Sequence, residues 1–242
     1  TAAALADDGV AVHDDHRRMV ATGGLDAVIV ASPNHTHREV LDDLWDAGVH
    51  LFVEKPLCTT VEDCLEVRRR AADHERLVWV GLEYRFMPAV DDLLARVRSG
   101  IAGRVRMVSV REHRYPFLVK VGDWNRFTRN TGGTLVEKCC HFFDLMNQAV
   151  GERPVRVYAS GGQDVNHLDE SYDGEVPDIL DNAFVIVDYP GGARAMLDLC
   201  MFAEGSRFEQ EVVVTGDAGK VEAHMPGFME VVRGRTQELV VG

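Results

Sequence analysis

The stretch from Val49 to Pro56, VHLFVEKP, constrains this chain more than any other. Leu51, Phe52 and Val53 form an apolar run without alternation, the pattern of a strand covered on both faces of a parallel sheet. Pro56 then ends the strand. Proline lacks the N–H that a central strand donates and drives Lys55 toward extended backbone, so the chain must leave the sheet. Glu54 and Lys55 therefore stand at a strand's carboxyl end, where open α/β sheets hold their ligands. A lone Glu-Lys pair at such a place is more often a surface ion pair of little consequence. The surrounding chain has to decide between the two.

Around this strand the first half alternates. Thr1 to Asp8 reads as the tail of a helix, Val10 to His13 as a short strand, and His16 to Thr22 as a helix stopped by Gly23-Gly24. Ala27 to Ala31 (AVIVA) is a second buried strand running into Ser32-Pro33-Asn34-His35-Thr36-His37. Helices are expected over Arg38–Ala47, closed by Gly48, and over Thr60–Glu75, capped by Thr59 or Thr60. Leu77–Val80 is the next strand. Strands and helices at this spacing make βαβ units and an incomplete Rossmann-type parallel, doubly wound sheet.

From Tyr84–Pro88 onward the character changes, which divides the chain into domains over 1–85 and 86–242. Pro88–Ser99 reads as a helix. Arg104–His113 then alternates with period two, as a half-buried strand does. Further strands are expected at Val155–Ala159, Ala183–Tyr189, Ala193–Phe202, Glu209–Thr215, Lys220–His224 and Met229–Arg233, with Gly191-Gly192 turning a hairpin. One long helix, Leu135–Val150, interrupts them, so the second domain is α+β: an open, mostly antiparallel sheet with one covering helix. Such a sheet needs a partner for its uncovered face, whichever parity of Val185, Val187, Met196, Leu197 and Val213 is outward, so a homo-oligomer (dimer or tetramer) through this sheet is expected.

The long helix carries Glu137, His141 and Asp144 at i, i+4 and i+7, one face of a regular helix. A histidine between carboxylates suits proton transfer near neutral pH. A polar face turned to water fits the same spacing. A metal site would use these three residues too, but the pattern is not HExxH, and no metal is assigned. A net charge of −13 argues against nucleic acid and anionic membranes as partners. No apolar run approaches bilayer length, and the opening residues lack the basic-then-apolar layout of a secretory signal. Five cysteines without a CxxC pair, two of them adjacent at Cys139-Cys140, suit a reducing cytoplasm.

Four motifs now stand in order: SPNHTH closing one strand, EKP closing the next, GLEYRF at the domain junction, and TGGTLVEKCCHFFD on the helix. Together with the later VTGDAGKVE they resemble the Gfo/Idh/MocA oxidoreductases over nearly the whole chain. The resemblance implies an NAD- or NADP-dependent enzyme moving hydride between the nicotinamide and a sugar or inositol-like cyclic polyol. By position it makes Lys55 the lysine that contacts the nicotinamide ribose and the reacting hydroxyl. It places Ser32, Pro33, Asn34 and His37 along the cofactor's path, with Glu54 and Pro56 beside it. His141 becomes the base and Glu137 the carboxylate that holds the imidazole or the substrate, with Asp144 closing the motif. Arg85, Trp124 and Arg126 fall where relatives place substrate-facing groups, a looser transfer.

The chain also departs from that family. Its helix motif is usually GGxLxDxGxHxxD, so Glu137 stands for aspartate and Cys139 for glycine, and one extra methylene is a large step where ~1 Å can cost a hundredfold in rate. No two glycines stand in a G-x-G arrangement, so the GxGxxG turn that cradles the pyrophosphate is missing. The 242 residues therefore read as an internal piece of a longer enzyme, ending in the strand-like Leu239-Val240-Val241-Gly242. By themselves they are expected to bind NAD weakly or not at all. Two other readings are a non-catalytic fragment that binds no cofactor and a relative that uses tightly held NAD for glycoside cleavage.

Overall fold

The computed structural model describes residues 9–225. The expected helix at Thr1–Asp8, the strand at Met229–Arg233 and the final segment Leu239–Gly242 lie outside these. Of the described residues, those up to 81 with 129–132 form one compact unit, and residues 82–128 with those from 133 onward form another. The division after Gly81 falls just ahead of the expected 85/86 boundary.

In the first unit, α1 (His16–Ala21) starts at Asp15, whose carboxylate accepts from the backbone N–H groups of Arg17 and Arg18. β1 (Ala27–Val30), α2 (His37–Leu44), β2 (His50–Val53), α3 (Val61–Asp73) and β3 (Val78–Val80) follow in alternation. All three strands pair in parallel, in the order β1-β2-β3. Val28, Val30, Leu51 and Val53 face a core completed by Leu41 and Leu44 of α2 and Val67 of α3. Thr60 caps α3 as expected, its Oγ1 accepting from Asp63 N at 3.2 Å.

Two expectations fail in this unit. Val10–His13 is not a strand; its valines are exposed, and it joins no sheet among the described residues. Among the described residues β1 is covered on one face only: Ile29 of β1 and, two strands over in the same sheet, Trp79 of β3 stand 69% and 38% exposed on the side away from the core.

The second unit holds a six-stranded sheet in the order β5-β6-β7-β4-β8-β9. Its strands are β4 (Val105–His113), β5 (Arg156–Gly162), β6 (Asn182–Asp188), β7 (Arg194–Cys200), β8 (Gln210–Gly216) and β9 (Lys220–Met225). Every pairing is antiparallel except β4 with β7. Strand alternation sends Val185, Val187, Leu197, Val108, Val110, Val212 and Val214 inward, against Phe142, Leu145 and Met146. Those three lie on α7 (Cys140–Val150), and the expected single covering helix shares the face with α4 (Pro88–Arg98), through Val90, Leu93 and Leu94. Met196 and Val213 point to the open face, whereas Val185, Val187 and Leu197 are core.

The long helix expected over Leu135–Val150 is two pieces. The short turn α5 (Thr128–Thr131) precedes α6 (Thr134–Glu137), and Lys138-Cys139 separate α6 from α7. Gly133, at φ 86°, starts α6 in a conformation open to glycine. Glu137 thus belongs to a different helical segment from His141 and Asp144, and the one-helix spacing argument does not describe it.

Candidate active site

In the first unit the expected cofactor residues gather at two adjacent parallel strand ends. After β1 the chain passes through Ser32, Pro33 and the helical turn Asn34–Thr36, where Thr36 Oγ1 donates to Ser32 Oγ at 2.6 Å and sits 2.7 Å from Pro33 O. After β2 come Glu54, Lys55 and Pro56, joined by a cis Lys55–Pro56 peptide. The buried ring of His37 ties these turns together, with Nε2 2.9 Å from Ser32 O and Nδ1 3.0 Å from Pro56 O. Its contacts are to backbone, so it acts by holding the two turns.

Glu54 Oε2 accepts from Lys55 N at 3.2 Å and lies over the end of β3 at Gly81. A Cβ at Gly81 would stand 3.3 Å from that oxygen and 3.3 Å from the Phe52 ring, so the bare backbone leaves room for the carboxylate. Asn34 is 7% exposed and its Nδ2 has no hydrogen-bond acceptor among the described residues. A buried amide lacking an acceptor is costly, and a ligand oxygen or a bound water would relieve it. An orphan amide donor, an ammonium and a carboxylate at neighbouring strand ends fit the hydroxyl-rich ribose end of a nicotinamide dinucleotide.

In the second unit the expected chemistry sits at the start of α7. His141 is 2% exposed, and its ring lies flat on Tyr84, centroids 4.3 Å apart and planes 10° from parallel. Its Nε2 is 3.5 Å from Glu83 Oε2, a carboxylate that is itself 55% exposed. Glu137, on α6, is buried too. One turn further along α7, Asp144 takes both arms of the Arg85 guanidinium, a bidentate pair that raises the pKa of the arginine further. Arg85 and Asp144 thus meet each other across the sequence.

Trp124 and Arg126 lie in the turn Val121–Arg126. Trp124 is half-buried. Arg126 is buried, and its Nε donates to Glu170 Oε2 at 2.9 Å. The same carboxylate accepts from Tyr172 OH at 2.7 Å and meets His167 Nδ1 at 2.8 Å, so Arg126 anchors the 167–172 loop.

Sequence reasoning passed over Glu83 and Tyr84, although both stand in the GLEYRF motif that supplied Arg85. It also passed over Glu112, on β4, where an acidic residue at an inward position of an alternating strand was the available signal. Glu112 is fully buried with Lys138 Nζ 3.0 Å from Oε1; burial nonetheless raises its carboxyl pKa, outweighing the ammonium. Among the described residues no three His, Cys, Asp or Glu side chains converge to hold a metal ion.

The sequence matches two family descriptions: "Oxidoreductase family, NAD-binding Rossmann fold" over residues 1–82, and "Oxidoreductase family, C-terminal alpha/beta domain" over residues 95–241. It is 27% identical over 240 residues to inositol 2-dehydrogenase 1 of Saccharopolyspora erythraea, covering 99% of this chain and 66% of that protein. It is 26% identical over 217 residues to 2,7-anhydro-N-acetylneuraminate hydratase of Mediterraneibacter gnavus, covering 88% of this chain and 55% of the relative. The fold superposes on a probable dehydrogenase from Thermotoga maritima with a TM-score of 0.74 at 25% identity, covering 91% of this chain and 63% of that one. The chain thus spans about three fifths of the length of the curated relatives it matches. With both family descriptions matched in order and the two sheets folded as they require, this chain belongs to the Gfo/Idh/MocA oxidoreductase family.

Proposed function

We propose that the protein carrying this chain is an NAD(P)-dependent dehydrogenase of a sugar or inositol-like cyclic polyol. The observation that carries the reading is the setting of His141: an enclosed imidazole with an aromatic face beneath it and a carboxylate at Nε2. A buried ring so held changes its protonation without changing its position, as general base catalysis requires. The route to Nε2 passes Glu83, whose half-exposed carboxylate gives way to the substrate hydroxyl. His141 then takes that hydroxyl's proton at Nε2, Glu137 steadies the imidazole or the substrate, and Lys55 holds the oxygen as its negative charge develops. The nicotinamide, when bound, takes or returns hydride at the substrate carbon. Ser32, Pro33, Asn34, Glu54 and Pro56 hold its ribose end, with His37 fixing their turns. Arg85, Asp144 and Trp124 shape the polyol side, and Arg126 acts there through the Glu170 loop.

The test is a pair of variants in the full-length protein. General acid–base catalysis contributes ~10²–10⁴ in rate, so His141→Asn should lower turnover by that order with cofactor affinity almost unchanged. Lys55→Met should lower both. Near-normal turnover in His141→Asn removes His141 from the mechanism.

The similarity to a 2,7-anhydro-N-acetylneuraminate hydratase favours a second reading, in which the same residues serve a lyase or hydratase with tightly held NAD and no net oxidation. Reduced cofactor accumulating in step with product supports the dehydrogenase; product formed without it supports the second reading. We also infer a homo-oligomer through the open face of the six-stranded sheet. A cytoplasmic setting fits the five cysteines, which form no disulfide among the described residues.

A further inference from the structure

The platform under His141 is built from parts that the proposed reaction does not use. Tyr84 comes from the turn Glu83–Phe86, and its ring meets His141 face to face and Phe142 edge-on, at 4.3 and 5.6 Å. Its hydroxyl accepts from Gln210 Nε2 at 2.9 Å, and Lys138 Nζ lies 3.5 Å from the same oxygen. Lys138 is in turn held by the buried Glu112, which is the register partner of Gln210 across β4 and β8. A ring stacked on one face, met edge-on by Phe142 and held at its hydroxyl has little freedom to tilt. Burial and then the Glu112 charge raise the phenol's pKa, so Tyr84 stays neutral.

We propose that Tyr84 is a positioning residue for His141: its ring is the seat on which the imidazole keeps its plane and carries its proton. The face of an aromatic ring is electron-rich and attracts a cation placed over it. An imidazolium formed during turnover would lie over that face. The charges around it are Glu83 at its Nε2, Glu137 on the preceding helical segment, the Arg85–Asp144 pair one turn along α7, and Lys138 beyond the tyrosine. Lys138 and, further off, Arg114 would oppose a second positive charge, and both face Glu112. Glu112, placed across the Lys138 ammonium, offsets that opposition and leaves the aromatic face free to act.

This inference rests on the proposed role of His141, and its test reads the imidazole directly. Proton NMR would follow the His141 ring in the full-length protein, its signals identified by their loss in His141→Asn. Tyr84→Phe keeps the aromatic face and Tyr84→Leu removes it, with circular dichroism checking the fold of each. The imidazole midpoint should fall by ~0.4–1.5 pH units in Tyr84→Leu and stay near its original value in Tyr84→Phe. An unchanged midpoint in a folded Tyr84→Leu overturns the proposal. The unmodified protein supplies a second reading that needs no variant. The ring-current displacement that Tyr84 imposes on the His141 protons should persist through the titration, and its disappearance on protonation would show the imidazole leaving its seat. Normal turnover in His141→Asn would end the catalytic reading while leaving these two measurements intact.

Discussion

Burial pushes the Glu170 carboxyl up, but hydrogen bonds with His167, Tyr172 and Arg126 outweigh it and bring its pKa down to about 2. A carboxyl whose folded pKa is depressed stabilises the fold above its unfolded value, near ~4.3, and loses that contribution as pH falls through the folded one. The melting temperature should therefore drop between about pH 4.5 and pH 2. Glu170→Gln should flatten that slope and lower the melting temperature at neutral pH; an unaltered slope would show the cluster to be irrelevant to acid stability. None of this was legible locally, because Arg126 and Glu170 are 44 positions apart. The same limit applied to Arg85 and Asp144. Each was recognisable as chemistry within its own motif, but their mutual pairing needed the fold. Lys55 and His141 were legible for the opposite reason: each stands inside a run whose neighbours fix its local structure.

Helix α3 was readable at its start, where Thr60 precedes Glu62 and Asp63 in the first turn. Removing that cap in Thr60→Ala should cost ~1 kcal/mol, read by urea denaturation. The same turn contains Cys64, whose thiol pKa is lowered to about 7, chiefly by a hydrogen bond from the buried Cys58. Thiolate is the reactive form, so Cys64 should be the first of the five cysteines to take up iodoacetamide at pH 7.5, followed by peptide mass mapping. Cys64 should lose this lead in Cys58→Ala; equal rates at all cysteines would contradict the assignment. The break at Lys138-Cys139 was the element that local sequence hid. LVEKCCHFF keeps a helical apolar rhythm throughout, and the residue at the break, Lys138, pairs with Glu112, 26 positions earlier, a contact that the local sequence does not announce.

Across the second sheet, Tyr158, Ile186, Met196, Ser109 and Val213 fall in one register row on the open face. Tyr158 and Ile186 are 66% and 44% exposed there, and Phe184 in the next row is 62% exposed. An apolar row broken only at Ser109, beside ion pairs such as Arg156–Asp188, has the makeup of an interface between copies. Ile186→Lys should shift the sedimenting species of the full-length protein toward monomer with its melting still cooperative; an unshifted species would place any interface elsewhere. The period-two alternation announced this sheet, but not which parity faced outward, because β6 (Phe184 to Val187) and β8 (Val212 to Val214) carry apolar residues at both parities. The central position of β4 has one more consequence, for how the protein is made. Met107 pairs with Arg194 on one side and Val108 with Val214 on the other, so both neighbours of this strand are synthesised long after it. On the ribosome β4 must wait with both hydrogen-bonding edges open, and the sheet closes around it only after β7 and β8 have emerged. Aggregation during expression should therefore begin with nascent chains stalled short of β7, the length at which chaperone occupancy would be greatest.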